Sequence, residues 1–208
     1  MKLKKEWNKE IFEHRWLIFF SLILLVIAVI LDYVAGTYVS KIQGVAVPDI
    51  LLDNIPTVDL NYIYLYGAVF MVILLFLYPL VFEVKKFHIV ISQFSLLVMV
   101  RGFFTSLTHL AIPTGALQFH VPKALFFLNF SNDLFFSGHT AIPFLGFLLF
   151  KEDKIRYLFL ALSILMGTVV LLMHVHYTID VLSAFFITFG TFKIGEWFFS
   201  KVDIYFKK

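Results

Sequence analysis

Six stretches of this sequence, at about 16–34, 62–82, 89–112, 134–150, 157–174 and 177–199, are apolar enough to match the hydrocarbon core of a bilayer, which takes roughly 20 residues of helix. A backbone that crosses lipid must satisfy its own hydrogen bonds, so segments of this kind cross as helices. The composition agrees, with 61% apolar and 15% charged residues against about 45–50% and about 25% in soluble domains. The expected fold is all-α: a polytopic membrane protein with six transmembrane helices, residues 1–208 forming one membrane domain. The fourth stretch is the shortest and contains Pro143, a place for a bend that neighbouring helices tolerate in a membrane. The run from Trp16 to Leu31 is long for a signal peptide and no small-x-small site follows it, so it reads as a retained first span. No internal repeat is evident. With zero Cys, disulfides, thiolate metal sites and cysteine nucleophiles are excluded.

The basic residues predict the orientation. Lys2, Lys4, Lys5, Lys9 and Arg15 precede the first span, Lys85 and Lys86 separate spans two and three, and Lys151, Lys154 and Arg156 separate spans four and five. Lys193, Lys201, Lys207 and Lys208 lie at the C-terminal end. The opposite side carries only Lys41 and Lys123, and Arg101 falls inside a span. The positive-inside rule then makes both termini cytoplasmic. The two long outer loops, 35–61 and 113–133, mix apolar residues with Pro48, Pro56, Pro113, Gly115 and Pro122; either they cap a site or they are simple surface loops.

Two motifs then meet at one membrane face. Ser137-Gly138-His139-Thr140 opens the fourth span and His176-Tyr177-Thr178-Ile179-Asp180 opens the sixth. His176 and Asp180, four apart, share a face if helical. A carboxylate beside one imidazole nitrogen fixes the tautomer and leaves the other as a nucleophile, and it stabilises the charge formed on attack. The bland reading is a pair that pins the sixth helix, but ionisable groups inside membranes are costly and usually functional. Ser137 and Gly138 mark a helix start, where backbone N–H groups and the dipole bind phosphate, and His139 is placed to protonate a leaving oxygen.

Arg101, with Thr105 and Thr108 on its face, either meets phosphate oxygens or forms a buried ion pair with an acid such as Asp32. The threonines either line that face or bond back to their own helix. Asp133 either orients a histidine or an acceptor hydroxyl, or caps the fourth helix. His174 points to another side than His176, and the spacing of His174, His176 and Asp180 does not converge three ligands on a metal. His109 and His120 are outer-side histidines without a motif, and His14 and His88 are cytoplasmic and inert.

Together these residues resemble the type 2 phosphatidic acid phosphatase superfamily, and more closely its sphingomyelin synthase branch. Asn132-Asp133 followed by Ser137 to Thr140 is similar to the synthase motif Cys-Gly-Asp-x3-Ser-Gly-His-Thr, with Ser131-Asn132 in place of Cys-Gly. His176 to Val181 match His-Tyr-Thr-x-Asp-Val at each fixed position. Arg101 to Pro113 look like the synthase segment around its arginine, and Pro48-Asp49 resemble the end of a Pro-rich motif. The basic motif Lys-x6-Arg-Pro of the wider phosphatases is missing, and Lys85-Lys86 stand where the synthases have two arginines.

The resemblance implies a six-helix fold and a phosphohistidine mechanism without metal or other cofactor. His176 is then the nucleophile, Asp180 its orienting acid and His139 the general acid, with Ser137, Gly138, Arg101, Asp133, Thr140 and Tyr177 around the substrate phosphate. The expected partners are the bilayer, phospholipid donors and a lipid alcohol (ceramide or diacylglycerol) or water as acceptor, with no nucleic acid. The expected location is the plasma membrane, with the active site facing outside. A phosphatase using water alone shares all of these residues. A non-enzymatic transporter or lipid-binding scaffold is the alternative of another class, and it predicts no convergence of the two histidines.

Overall fold

The computed structural model describes residues 2–117 and 132–206, and the side chains of 7–117 and 132–201. His120, Pro122, Lys123, Ser131, Lys207 and Lys208, used above, lie outside the described residues. The helices are α1 Lys2–Glu13, α2 Arg15–Ser40, α3 Asn61–Phe82, α4 Phe87–Leu107, α5 Gly138–Leu149, α6 Ile155–Leu172 and α7 Thr178–Phe206. Among the described residues there is no β-strand, only an isolated parallel bridge between Val45 and Leu110. Five helices, α2, α3, α4 with its preceding turn, α6 and α7, are long and apolar enough to cross a membrane.

The stretch expected to be the fourth span is the short one. α5 has 12 residues, about 18 Å at 1.5 Å per residue, against a core of about 30 Å. It begins four residues later than hydropathy suggested, because the carbonyls just before it are bound by side chains of α4. Residues 108–112, included in the third span, are not helical either. The chain turns extended at Thr108 (φ −115°, ψ 113°), and Ala111 donates its N–H to Val45 at 3.1 Å. The Lys-rich segment before the first span, left unassigned by hydropathy, is helix α1. Its Trp7 indole donates to the Leu80 carbonyl at the end of α3 at 2.8 Å.

α4 lies between α2 and the rest of the bundle. α2 turns Ser21, Ala28, Ala35 and Gly36 inward, and small residues of this kind let membrane helices approach closely. On the other side, Leu97 of α4, Phe136, Ala141 and Leu145 of the α5 region, and Ala184 and Phe192 of α7 form one core. α5 packs on α6 where Gly146 leaves room for the Phe159 ring. This packing brings the start of α5 beside the start of α7, where both sequence motifs lie.

Candidate active site

The connection from α6 to α7 is five residues long and pinned at both ends. α6 closes with the His174 N–H bonded to Leu171 O at 2.9 Å and the Val175 N–H to Val170 O at 3.1 Å. This is the Schellman pattern, which needs a left-handed residue, and His174 supplies it at φ +54°. Val170 and Val175 pack in the same apolar cluster, the contact that accompanies such an ending. His174 is buried and borders Gly115 of the loop after α4.

The start of α7 is capped twice. Asp180 reaches back so that its Oδ2 accepts the Tyr177 N–H at 2.9 Å, as the acid of a capping box does. Asp49, from the loop after α2, accepts the Thr178 N–H at 2.6 Å and its hydroxyl at 2.7 Å. Such a cap contributes about 1 kcal/mol. Burial raises the Asp49 pKa, but the hydrogen bonds from Thr178, Leu52 and Leu51 outweigh it and hold the carboxyl below its ordinary value. Spacing had placed His176 and Asp180 on one helical face. The structure puts His176 in the turn before the helix, and the pair forms because side chains of a first turn lean toward the N-terminus. His176 Nδ1 lies 3.4 Å from Asp180 Oδ2, in ion-pair range but without hydrogen-bond geometry. Both residues are buried, and among the described residues Asp180 Oδ1 has no hydrogen-bond partner.

The start of α5 is shaped from behind by α4. Arg101 Nε donates to Phe136 O at 3.1 Å, its Nη2 approaches Asp133 O at 3.4 Å, and Thr105 donates to Phe135 O. Three carbonyls are thereby drawn toward α4. Ser137 is the N-cap residue, and among the described residues no side-chain cap hydrogen bond closes this helix start. The first-turn N–H groups of Gly138, His139 and Thr140 therefore lack intrahelical acceptors, which makes the turn a seat for an anion. The Ser137 N–H instead bonds the Asp180 carbonyl at 3.1 Å, joining the two helix starts backbone to backbone. His139 comes within electrostatic range of His176 and Arg101, and its ring stacks on Tyr64 of α3 at 4.1 Å between centroids.

The remaining sequence candidates have partners within the fold. Arg101 pairs with Asp133 at 2.9 Å and, more loosely, with Asp32 at 3.7 Å, so its guanidinium is largely engaged before any substrate arrives. Asp133 thus binds Arg101 rather than a histidine or the helix start. Gly138 lies directly over that guanidinium, with 3.4 Å between a built Cβ and Arg101 Nε. Thr140 turns to α6, where its hydroxyl borders Gly167 and its carbonyl accepts from Ser163 at 2.8 Å. Tyr177 is buried, and its hydroxyl donates to Ala111 O at 2.9 Å and accepts from Val47 N–H at 3.1 Å. It ties the loop after α2 to the segment after α4 beside the start of α7. Thr108 bonds back to Phe104 O at 3.0 Å.

His109 is exposed and bonds Ser106 O at 3.2 Å, apart from the two motifs. His14 and His88 stack on each other at 5.4 Å, where α2 and α4 begin. Among the described residues no group of three or more His, Asp or Glu side chains is gathered as a metal site.

Tyr64 and Asp49 are the participants that sequence reasoning did not single out. Asp49 was one of three aspartates in its loop, and only the Pro48-Asp49 likeness marked it. Residues 131–197, about a third of the chain, match the family model described as PAP2 superfamily C-terminal. The matched segment contains both motifs and supports a place in that superfamily. No curated protein matches the chain.

Proposed function

We propose that the protein is a lipid phosphotransferase or phosphatase working through a phosphohistidine, with six membrane crossings, cytoplasmic termini and its site at the outer face. The observation that carries this reading is the meeting of His139 and the His176–Asp180 pair at two adjoining helix starts, one of which, among the described residues, has first-turn N–H groups without acceptors. The family match across both motifs supports the same chemistry. The likeness of His176 to Val181 to the sphingomyelin synthase motif points to that branch.

In this mechanism the substrate phosphate sits on the first turn of α5. Asp180 faces His176 Nδ1, which leaves Nε2 to attack phosphorus. The bond from phosphorus to the leaving oxygen breaks with its electron pair, and His139 gives that oxygen a proton, releasing an alcohol. The acceptor hydroxyl then attacks the phosphohistidine, returns its proton to His139 and frees His176. Arg101, Asp133 and Thr105 hold the phosphate-binding turn, while Tyr177 and Thr140 secure its surroundings.

The test uses purified protein in vesicles containing labelled phosphatidylcholine, phosphatidylethanolamine or phosphatidic acid, with and without ceramide and diacylglycerol. One donor is expected to lose its labelled group only with wild-type protein and not with His176→Ala. Transfer to an added lipid alcohol marks the synthase reaction, release to water alone marks a phosphatase, and no turnover of any donor refutes the proposal.

The orientation has its own test, which the lack of native Cys makes clean. A cysteine at Lys41 is expected to react with an impermeant thiol reagent in intact cells, and one at Lys154 only after permeabilisation. The reverse pattern would move the site to the cytoplasmic face.

A further inference from the structure

We infer that Tyr64 is a positioning residue for His139, its phenol face holding the imidazole in the plane from which it serves the leaving oxygen. The inference rests on the reading of His139 as proton donor. The two rings are stacked, with centroids 4.1 Å apart and planes at 21°. No hydrogen bond to the His139 ring occurs among the described residues, and the stacked phenol is a ring contact that orients it there. The final torsion of a histidine is intrinsically broad, and a reacting group displaced by about 1 Å loses on the order of 10²-fold in rate.

The fold brings Tyr64 there by two independent features. Of three tyrosines at the start of α3, Tyr62 and Tyr66 are 80% and 62% exposed. Tyr64 turns inward against the cluster of Val169, Val170, Met173, Val175 and Val181. One turn further, Gly67 lies so close to α6 that an added Cβ would stand 2.7 Å from the Met166 sulfur. That close approach of α3 to α6 sets the Tyr64 ring over the start of α5.

The experiment compares wild type, Tyr64→Phe, Tyr64→Leu and His139→Ala. Each is assayed in vesicles with whichever of the three phospholipids above is the donor, and with its counterpart in which nitrophenolate replaces the lipid alkoxide as leaving group. Tyr64→Leu is expected to lower kcat on the phospholipid about ten-fold or more, with KM within about two-fold, as partial loss of general acid catalysis. On the nitrophenyl substrate it is expected to stay within about two-fold of wild type, since that leaving group needs no proton. Tyr64→Phe keeps the ring and is expected to match wild type on both.

An equal loss on both substrates by Tyr64→Leu would mark a merely structural residue and overturn the inference. An unchanged Tyr64→Leu, or a Tyr64→Phe as slow as Tyr64→Leu, would also overturn it. If His139→Ala itself shows no preference for the nitrophenyl substrate, the proton-donor reading falls, and this inference with it. A leaving-group-dependent His139→Ala beside an indifferent Tyr64→Leu refutes the Tyr64 role alone.

Discussion

His176→Ala is expected to abolish both turnover and the labelled phosphoenzyme. Loss of a covalent nucleophile removes the whole two-step path, and in comparable sites the effect reaches roughly 10⁴-fold or more. In wild type, label from the donor should remain on protein quenched in alkali and be lost in acid, because a phosphorus–nitrogen bond is acid-labile. His139→Ala should form the same intermediate more slowly, by about 10²–10⁴-fold from a phospholipid, and recover in part with a nitrophenolate leaving group. His176→Ala should not recover with any leaving group. A chelator is expected to leave the rate unchanged. Near-normal turnover by His176→Ala, with loss on chelation, would replace the phosphohistidine by a metal-bound water.

The second large effect is expected at Arg101, and on folding rather than on substrate affinity. Its guanidinium neutralises Asp133 at 2.9 Å and Asp32 at 3.7 Å while holding the carbonyls before α5. Arg101→Leu leaves two carboxylates facing each other in a poorly hydrated interior, and breaking such a network from one side costs about 3–5 kcal/mol. Thermal unfolding in detergent should show a large drop, partly restored in the double variant with Asp133→Asn. Activity should fall with both phospholipid and nitrophenyl substrates, because the phosphate-binding turn itself is deformed. A variant of normal stability whose only defect is a raised KM would instead make Arg101 a direct phosphate ligand.

The long helices were legible because burial in lipid leaves a crude signal: a run of apolar residues with few charges. That signal has no resolution at the ends. It carried the third span through residues 108–112, where a bridge to Val45 has replaced helix, and it started the fourth at 134. Residues 133, 135 and 136 offer their carbonyls there to Arg101 and Thr105. The two motifs were legible because imidazole and carboxylate at helix starts are costly in a membrane without a purpose.

Tyr64 was hidden by its neighbours. Three tyrosines stand at alternate positions at the start of α3, and only helix packing separates the inward one from the two that are exposed. Arg101 posed the opposite difficulty. Its choice between phosphate and carboxylate depended on Asp133, a residue 32 positions away whose partner no local pattern could indicate.

The short link between α6 and α7 has a consequence for how this site would spend thermal motion. His176 lies between a Schellman ending, with His174 left-handed, and a helix start held by Asp180 and Asp49. With His176 as the proposed nucleophile, its backbone would have little orientational entropy left to lose on attack. Loosening either anchor would make productive encounters rarer without altering the grip on bound lipid. The damage would show as a less favourable activation entropy, a quantity read from the temperature dependence of kcat.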